Sequence, residues 1–313
     1  MAIYEPEELD FSKMHYTVLF QGSPGVGKTD LACTAPDPLL LNLDNGISRV
    51  KPAHRCTTSI CKDFDEVKAD IEAAKGKYKT IIIDTGGALV EMLKQYVVDH
   101  PRDFKGGAKA TGGISLQGFG FVKQLWNDFT RELRQNFNVV YIFHESPEKN
   151  GDDGVFYQIV CEGSTRTTVY QSCDLAARLF ISNGQRYLGF TPTEQYSAKA
   201  CYGISGLMPV PEVPDNSHGD FLTKLFDKIQ KNLEAETKAL APKQAEYKEV
   251  MEAAKRVCDE IKKPEDVAGS KEALMHLPHV LTSEAEAKNM FNKRLKELNI
   301  VFDKAAKAYK YAE

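Results

Sequence analysis

The chain reads as an α/β protein with a mostly parallel, twisted sheet flanked by helices, followed by a C-terminal α-helical region. Three observations lead there. Short apolar runs alternate with helical patterns over roughly the first two thirds of the 313 residues. The runs Leu39-Leu40-Leu41, Ile81-Ile82-Ile83 and Val139-Val140-Tyr141-Ile142-Phe143 are apolar on both faces, as strands of a parallel sheet covered by helices must be. Glycine usage then divides the chain: 20 of its 22 glycines precede residue 219, and the glycine-poor remainder carries helical stripes.

In chain order, Tyr16-Thr17-Val18-Leu19-Phe20 opens a buried strand over 16–21, and a helix over 29–34 follows. Strands are expected at 39–43, 79–84 and 138–144, with helices at 64–75, 87–98 and 116–136 between them. Three closely spaced runs at 177–182, 186–191 and 197–202 read as antiparallel additions to the sheet. The segment Met208-Pro209-Val210-Pro211-Glu212-Val213-Pro214-Asp215 is proline-spaced, hence extended and stiff. These features divide the chain into an N-terminal extension (1–14), a core (15–207), a linker (208–218) and a helical region (219–313). In that last region one apolar stripe runs through Phe221, Leu225, Ile229 and Leu233, and another through Tyr247, Val250, Ala254 and Ile261. A third, opened by a capping box of Ser283 and Glu286, continues through Phe291, Leu298, Phe302, Ala305 and Tyr309.

Composition excludes little. Hydrophobic residues make up 42%, enough for a core, and the net charge of -4 means that any nucleic-acid surface must be local. Residues 219–313 carry 18 Lys/Arg against 17 Asp/Glu, which suits the solvated faces of a helical bundle. The seven cysteines form no paired motif, and their odd number argues for a reducing cytoplasm, the host's if the gene is a phage's. Cys56, Cys61 and His54 lack the second half of a metal site. No apolar run approaches the ~20 residues of a membrane span.

The most informative stretch is Gly22-Ser23-Pro24-Gly25-Val26-Gly27-Lys28-Thr29, a complete G-x-x-x-x-G-K-[ST] phosphate loop between an expected strand and an expected helix. Glycines let successive N–H groups face one anion, Lys28 reaches the outer phosphates, and the Thr29 hydroxyl ligates Mg²⁺. Strand 79–84 ends in Asp84-Thr85. An acid at the end of a buried strand is the second half of such a site and holds the Mg²⁺. Motor ATPases often carry Asp-Glu there, so with Thr85 the catalytic base must come from elsewhere. Strand 138–144 ends in Phe143-His144-Glu145. His144 can donate a hydrogen bond in either protonation state and so report a γ-phosphate. Asp44 and Glu145 are the candidates to orient attacking water, and sequence does not choose between them.

GSPGVGKT at 22–29, LLLNLDNG at 39–46, TIIIDT at 80–85 and VVYIFHE at 139–145 together resemble the RecA-like recombinase superfamily of P-loop ATPases. The likeness is greatest to phage single-strand annealing and RecA-like nucleotide-binding proteins, over roughly residues 15–205. The resemblance implies a RecA-like fold, ATP and Mg²⁺ as cofactors, and single-stranded DNA as partner. It also implies a ring or filament of identical subunits, a single-strand-binding protein as a further partner, no membrane, and a part in annealing or strand exchange. Such proteins bind DNA through two loops, one after the Asp84-type strand and one after the sensor strand. Their counterparts would be 102–120, with Lys105 and Lys109, and 147–172, with Lys149 and Arg166. Cations there track phosphates while rings stack on bases. Lys199 resembles the basic residue that reaches a neighbouring subunit's nucleotide. The family's glutamate beside the water has no counterpart, since Gly46 stands at its place, which implies slow hydrolysis. Two other readings stay open: a helicase-loading or DNA-packaging motor, and a non-catalytic nucleotide switch or scaffold that recruits replication proteins through 219–313.

Overall fold

The computed structural model describes residues 10–11, 13–150, 154–162, 165–303 and 306–312. They form two compact units, one spanning Ser12–Asn232 and the other containing Leu233–Glu313.

The first unit is built on strand β1 (Thr17–Gly22), every residue of which is buried. Helix α1 (Lys28–Ala32), strands β2 (Pro38–Asn42) and β3 (Thr57–Ser59), and helix α2 (Phe64–Ala74) follow. Then come β4 (Thr80–Asp84), α3 (Gly86–Asp99), α4 (Leu116–Asn136), β5 (Asn138–Asn150), β6 (Gly154–Ile159), α5 (Thr165–Ser172), β7 (Leu175–Ser182), β8 (Gln185–Gly189) and β9 (Leu207–Val210). The sheet order is β3-β2-β4-β5-β1-β7-β8-β9, with β6 pairing the outer part of β5. From β3 to β7 all pairs are parallel, and β8 and β9 add antiparallel at one edge. This is a mostly parallel sheet flanked by helices.

Local chemistry starts the helices. Asp63, Thr85 and Ser115 accept the backbone N–H of Glu66, Ala88 and Gly118 at 2.9, 3.2 and 2.9 Å, which satisfies donors that a helix start leaves open. The inner faces of α3 and α4 close over the sheet through Leu89, Leu93, Val122, Trp126 and Leu133, all fully buried. Trp126 packs with its ring tilted against Tyr141, centroids 4.9 Å apart, and the Tyr141 hydroxyl bonds Thr130 at 2.9 Å. Gly86, at the start of α3, is needed for space: a Cβ there would fall 2.3 Å from the buried Phe143 ring. Gly86→Ala is therefore expected to destabilise the fold by about 1–3 kcal/mol, since a packed ring must shift. Urea denaturation against the wild type measures this.

Several expectations are corrected. The run 177–182 starts earlier, as β7, and pairs parallel with β1 rather than antiparallel. Residues 197–202 are not a strand; single bridges join Lys199 to Ala176 and Cys201 to Ile204. The third edge strand is β9, inside the expected linker, and its Pro209 is tolerated because an edge strand need not donate on both sides. The helical stretch after it is continuous: α6 (Phe221–Glu260) joins two expected stripes. The two compact units divide within this helix, between Asn232 and Leu233, rather than at 208–218.

The second unit also contains α7 (Asp266–Met275), α8 (Ser283–Glu297) and a hairpin of β10 (Ile300–Asp303) and β11 (Ala308–Tyr311). Cys258, Ile261, Val267, Ala287, Phe291 and Ile300 make its core. Helix α8 starts from Thr282, one residue before the expected cap, and its stripe stops at Glu297. Asn299, at φ 57°, turns the chain into the hairpin, so Phe302 and Tyr309 lie on strands and meet edge to face at 5.0 Å. Ala305 lies outside the described residues. No helix among the described residues is long and apolar enough to cross a membrane.

Candidate functional site

The order β2-β4-β5-β1 aligns four C-terminal strand ends, and register sets their heights. Gly22 on β1 lies beside His144 on β5. Asp84 on β4 lies beside Ile142 of β5 on one side and Asn42 of β2 on the other. One strand thus separates the strand leading into the phosphate loop from the strand bearing Asp84, and the tip of that strand carries His144.

The chain leaves β1 as the loop 22–29. Gly25 and Gly27 take φ of 79° and 92°, which glycine adopts without a steric cost. A Cβ on Gly27 would fall 2.6 Å from Nη1 of Arg186, so this guanidinium lies against the loop. Lys28 is buried. Its ammonium donates to the carbonyls of Gly22 at 2.7 Å and Ser23 at 2.9 Å, and faces Nδ1 of His144 at 3.4 Å. Burial lowers its pKa, against the opposite pull of Asp84, Glu145 and Asp44.

Thr29 donates its hydroxyl to Oδ2 of Asp84 at 2.6 Å. Asp84 is 2% exposed. Burial pushes its carboxyl up to about 6, with the Asp44 charge adding to the rise while the Thr29 bond and the Lys28 and Arg49 charges oppose it. Thr85 spends its hydroxyl on capping α3.

His144 has its pKa lowered, first by burial and then by the Lys28 charge, so its ring is neutral at pH 7. An ammonium only donates. Nδ1, which faces Lys28, is therefore the acceptor, and Nε2 carries the proton. Nε2 lies 3.8 Å from Oδ2 of Asp44. The other Asp44 oxygen accepts the backbone N–H of Gly46 at 2.8 Å, which fixes the carboxylate beside the cavity.

Lys28, Thr29, Asp44, Asp84 and His144 line one cavity of about 350 Å³, along with Gly25, Val26 and Gly27. That volume lies in the range of roughly 300–1,000 Å³ usual for small-ligand sites. The donor set fits the expected groups. A threonine hydroxyl beside a carboxylate is the hard-oxygen pairing that suits Mg²⁺, which keeps waters and substrate phosphates as its other ligands. Lys28, Arg49, Lys51 and Arg186 bring positive charge to the same cavity. Arg49, Lys51 and Arg186 escaped the sequence reading because they belong to no motif. Only the turn after β2 and the pairing of β7 with β8 bring them here.

Glu145 is a correction. Its carboxylate is buried and taken up by Arg178, which donates from Nε at 2.9 Å and Nη2 at 2.8 Å, and by the Ser23 hydroxyl at 3.1 Å. An acid held by a bidentate arginine is a poor base, and it does not line the cavity. Of the two carboxylates, Asp44 is the one that lines the cavity.

The basic residues expected to meet DNA sit in unlike settings. Lys105 and Lys109 are exposed on the segment between α3 and α4. That segment is ordered by a bridge between Ala108 and Ile114 and by a Lys109 N–H bond to the Gly113 carbonyl at 2.9 Å. Its far end, 116–120, already belongs to α4. The region 147–172 is not a loop: Lys149 lies on the β5–β6 hairpin, and Arg166 on α5. Arg166 is tied to Glu148 at 3.5 Å and to the Cys161 carbonyl at 3.2 Å, which reduces its availability for phosphate. Lys199 is exposed and donates to the Cys173 carbonyl. With Arg166, Tyr170 and Phe156 it lines a groove of about 580 Å³, separate from the cavity around Lys28.

A second cavity, of about 260 Å³, adjoins the first through His144 and is lined by Thr85, Glu91, Val160 and Glu162. Its two glutamates hold the Lys94 ammonium of α3, Glu91 at 2.7 Å, and the Phe119 ring at the start of α4 lies 5.7 Å from the same ammonium.

Compared with known families, residues 14–202 match the profile described as an AAA domain. No curated protein matches the chain.

Proposed function

Because the chain belongs to the AAA domain family, whose P-loop ATPase fold spans residues 14–202, we propose that it is a RecA-like, Mg-ATP-dependent protein that binds single-stranded DNA. It would promote annealing or strand exchange as a ring or filament of identical subunits. The observation that carries this reading is the placement of His144. His144 lines both the cavity of Lys28, Thr29 and Asp84 and the cavity whose glutamates hold Lys94. Lys94 in turn braces α3 and α4, between which Lys105 and Lys109 project.

When bound, ATP supplies the phosphoanhydride and Mg²⁺ neutralises its charge. The chain's residues do the rest. Thr29 and Asp84 would hold the cation, and Lys28 would serve the outer phosphates in place of the loop carbonyls. His144 would offer its Nε2–H as a hydrogen-bond donor to a terminal phosphate oxygen. Asp44 would hold the attacking water and accept its proton. Thr85 offers no carboxylate beside Asp84, which favours slow turnover and a nucleotide-controlled binder over a motor. Lys199 is offered to the nucleotide of a neighbouring subunit.

Gel-shift titration of single-stranded and duplex DNA with ATP, ADP and no nucleotide tests the proposal. Single strands are expected to bind more tightly with ATP. A triple variant with Lys105, Lys109 and Lys149 changed to Ala should flatten the slope of log affinity against log salt by about 2, at ~0.7 per phosphate contact. Binding unchanged in that variant, or absent with every nucleotide, overturns the proposal.

A further inference from the structure

Glu145 and Arg178 are a buried ion pair that the nucleotide chemistry above does not use, and they stand between the phosphate loop and the β5–β6 hairpin. Glu145 is 8% exposed and follows His144 directly on β5. On one side its Oε1 accepts the Ser23 hydroxyl at 3.1 Å. On the other, Arg178 of β7 grips both oxygens, from Nε at 2.9 Å and Nη2 at 2.8 Å. The Arg178 guanidinium then lies 3.6 Å from the centre of the Tyr157 ring, with Phe180 and Tyr196 at 5.5 and 5.6 Å. Tyr157 is on β6, and its backbone N–H donates to the Gln195 carbonyl at 2.7 Å. The hairpin itself begins where Glu145 pairs with Ile159.

We propose that Arg178 is a positioning residue that, through Glu145 and Ser23, ties the conformation of the phosphate loop to the β5–β6 hairpin. The physical reason is a competition. The Lys28 ammonium is spent on the carbonyls of Gly22 and Ser23. A triphosphate claims that ammonium, so the Ser23 carbonyl keeps only the longer bond from the Val26 N–H at 3.4 Å, and its side chain stays tied to Glu145 through the hydroxyl. A carboxylate held bidentately cannot shift alone, because the planar guanidinium must follow it. The guanidinium is stacked on Tyr157, so the displacement reaches β6. An arginine is required for this. Lysine would keep the charge but lose both the fork and the stacked plane.

This inference rests on the functional reading only in that a nucleotide occupies the cavity; DNA plays no part in it. The test is hydrogen exchange read by mass spectrometry on the full chain, with and without Mg²⁺ and adenosine 5′-(β,γ-imido)triphosphate. Nucleotide binding is measured in parallel by calorimetry. In wild type the analogue is expected to change amide exchange over residues 155–159 by roughly 5-fold or more, the lower bound of ordinary site-to-site coupling. Arg178→Lys should bind the analogue yet show less than a twofold change. Tyr157→Leu leaves the buried ion pair whole, so it reports even if the Arg178 variant fails to fold, and it too should lose the response. Variants that respond like wild type overturn the proposal, as does a wild type that binds the analogue with no change at the hairpin. A wild type that binds no nucleotide overturns the functional reading, and this inference with it.

Discussion

Asp84→Asn should make the nucleotide-free protein more stable than wild type while it removes Mg-dependent nucleotide binding. The folded carboxyl titrates at about 6, against an ordinary value of 3.8, and burial is the main cause. The sign follows from proton counting. Between those two values the folded state keeps a proton that the unfolded state has released, so stability from this group is fully present at low pH. It is lost as pH rises toward 6 and stays lost above it. At pH 7.5 the wild type therefore carries an ionised, desolvated carboxylate at a cost on the order of 1–3 kcal/mol. Asparagine keeps an oxygen for the Thr29 hydroxyl and has no charge to desolvate. Thermal melts from pH 4 to 8 check this: the variant should gain roughly 2–4 °C per kcal/mol, with the advantage growing through pH 4–6. Wild type that is equally stable across that window would mean Asp84 is ionised without strain. Calorimetry should show in parallel that Mg²⁺ no longer strengthens nucleotide binding.

Lys28→Ala should weaken nucleotide binding by on the order of 30- to 1,000-fold. The ammonium is already desolvated and held by two carbonyls and the His144 ring. It thus approaches the phosphates with little further ordering to lose. Charge-assisted bonds of this kind contribute about 1.5–3 kcal/mol each, and 1.4 kcal/mol is tenfold in affinity. A second readout separates loss of charge from loss of shape. Lys28 restrains the Asp84 carboxyl from rising further and lowers His144. Its removal should raise the pH at which each titrates, and NMR titration of the imidazole observes His144 directly. An affinity within a few-fold of wild type would show that Arg49, Lys51 and Arg186 carry the phosphate contact instead.

The motif residues of the site were legible because each announces itself locally. Glycines at 25 and 27, Lys28 and Thr29 form one contiguous loop, and Asp84 and His144 close runs so apolar that they had to be central strands. Glu145 misled for the same reason: as a polar residue at a strand tip it looked like a base. Its partner Arg178 is 33 residues away, and nothing in sequence marks the pair. The expected second DNA loop failed on length, since β5 continues six residues past His144 and pairs with β6, turning an apparent loop into a hairpin. The extension Glu145-Ser146-Pro147-Glu148-Lys149-Asn150 lacks the apolar density that identified the inner strands. The strand expected at 197–202 and the one found at 207–210 exchanged roles because edge strands need few apolar residues, and proline is tolerated among them.

What sequence by itself determined, then, is the phosphate loop, the carboxylate that completes it and the parallel sheet that carries both. These depend on short-range glycine conformation and on two-sided burial, and both are written in consecutive residues. Only the tertiary structure decided which carboxylate lines the cavity, which cations surround it, and that His144 lines two cavities. Those outcomes depend on strand order and register, which bring together residues tens to more than a hundred positions apart, and the capture of Glu145 by the Arg178 guanidinium has no local signature.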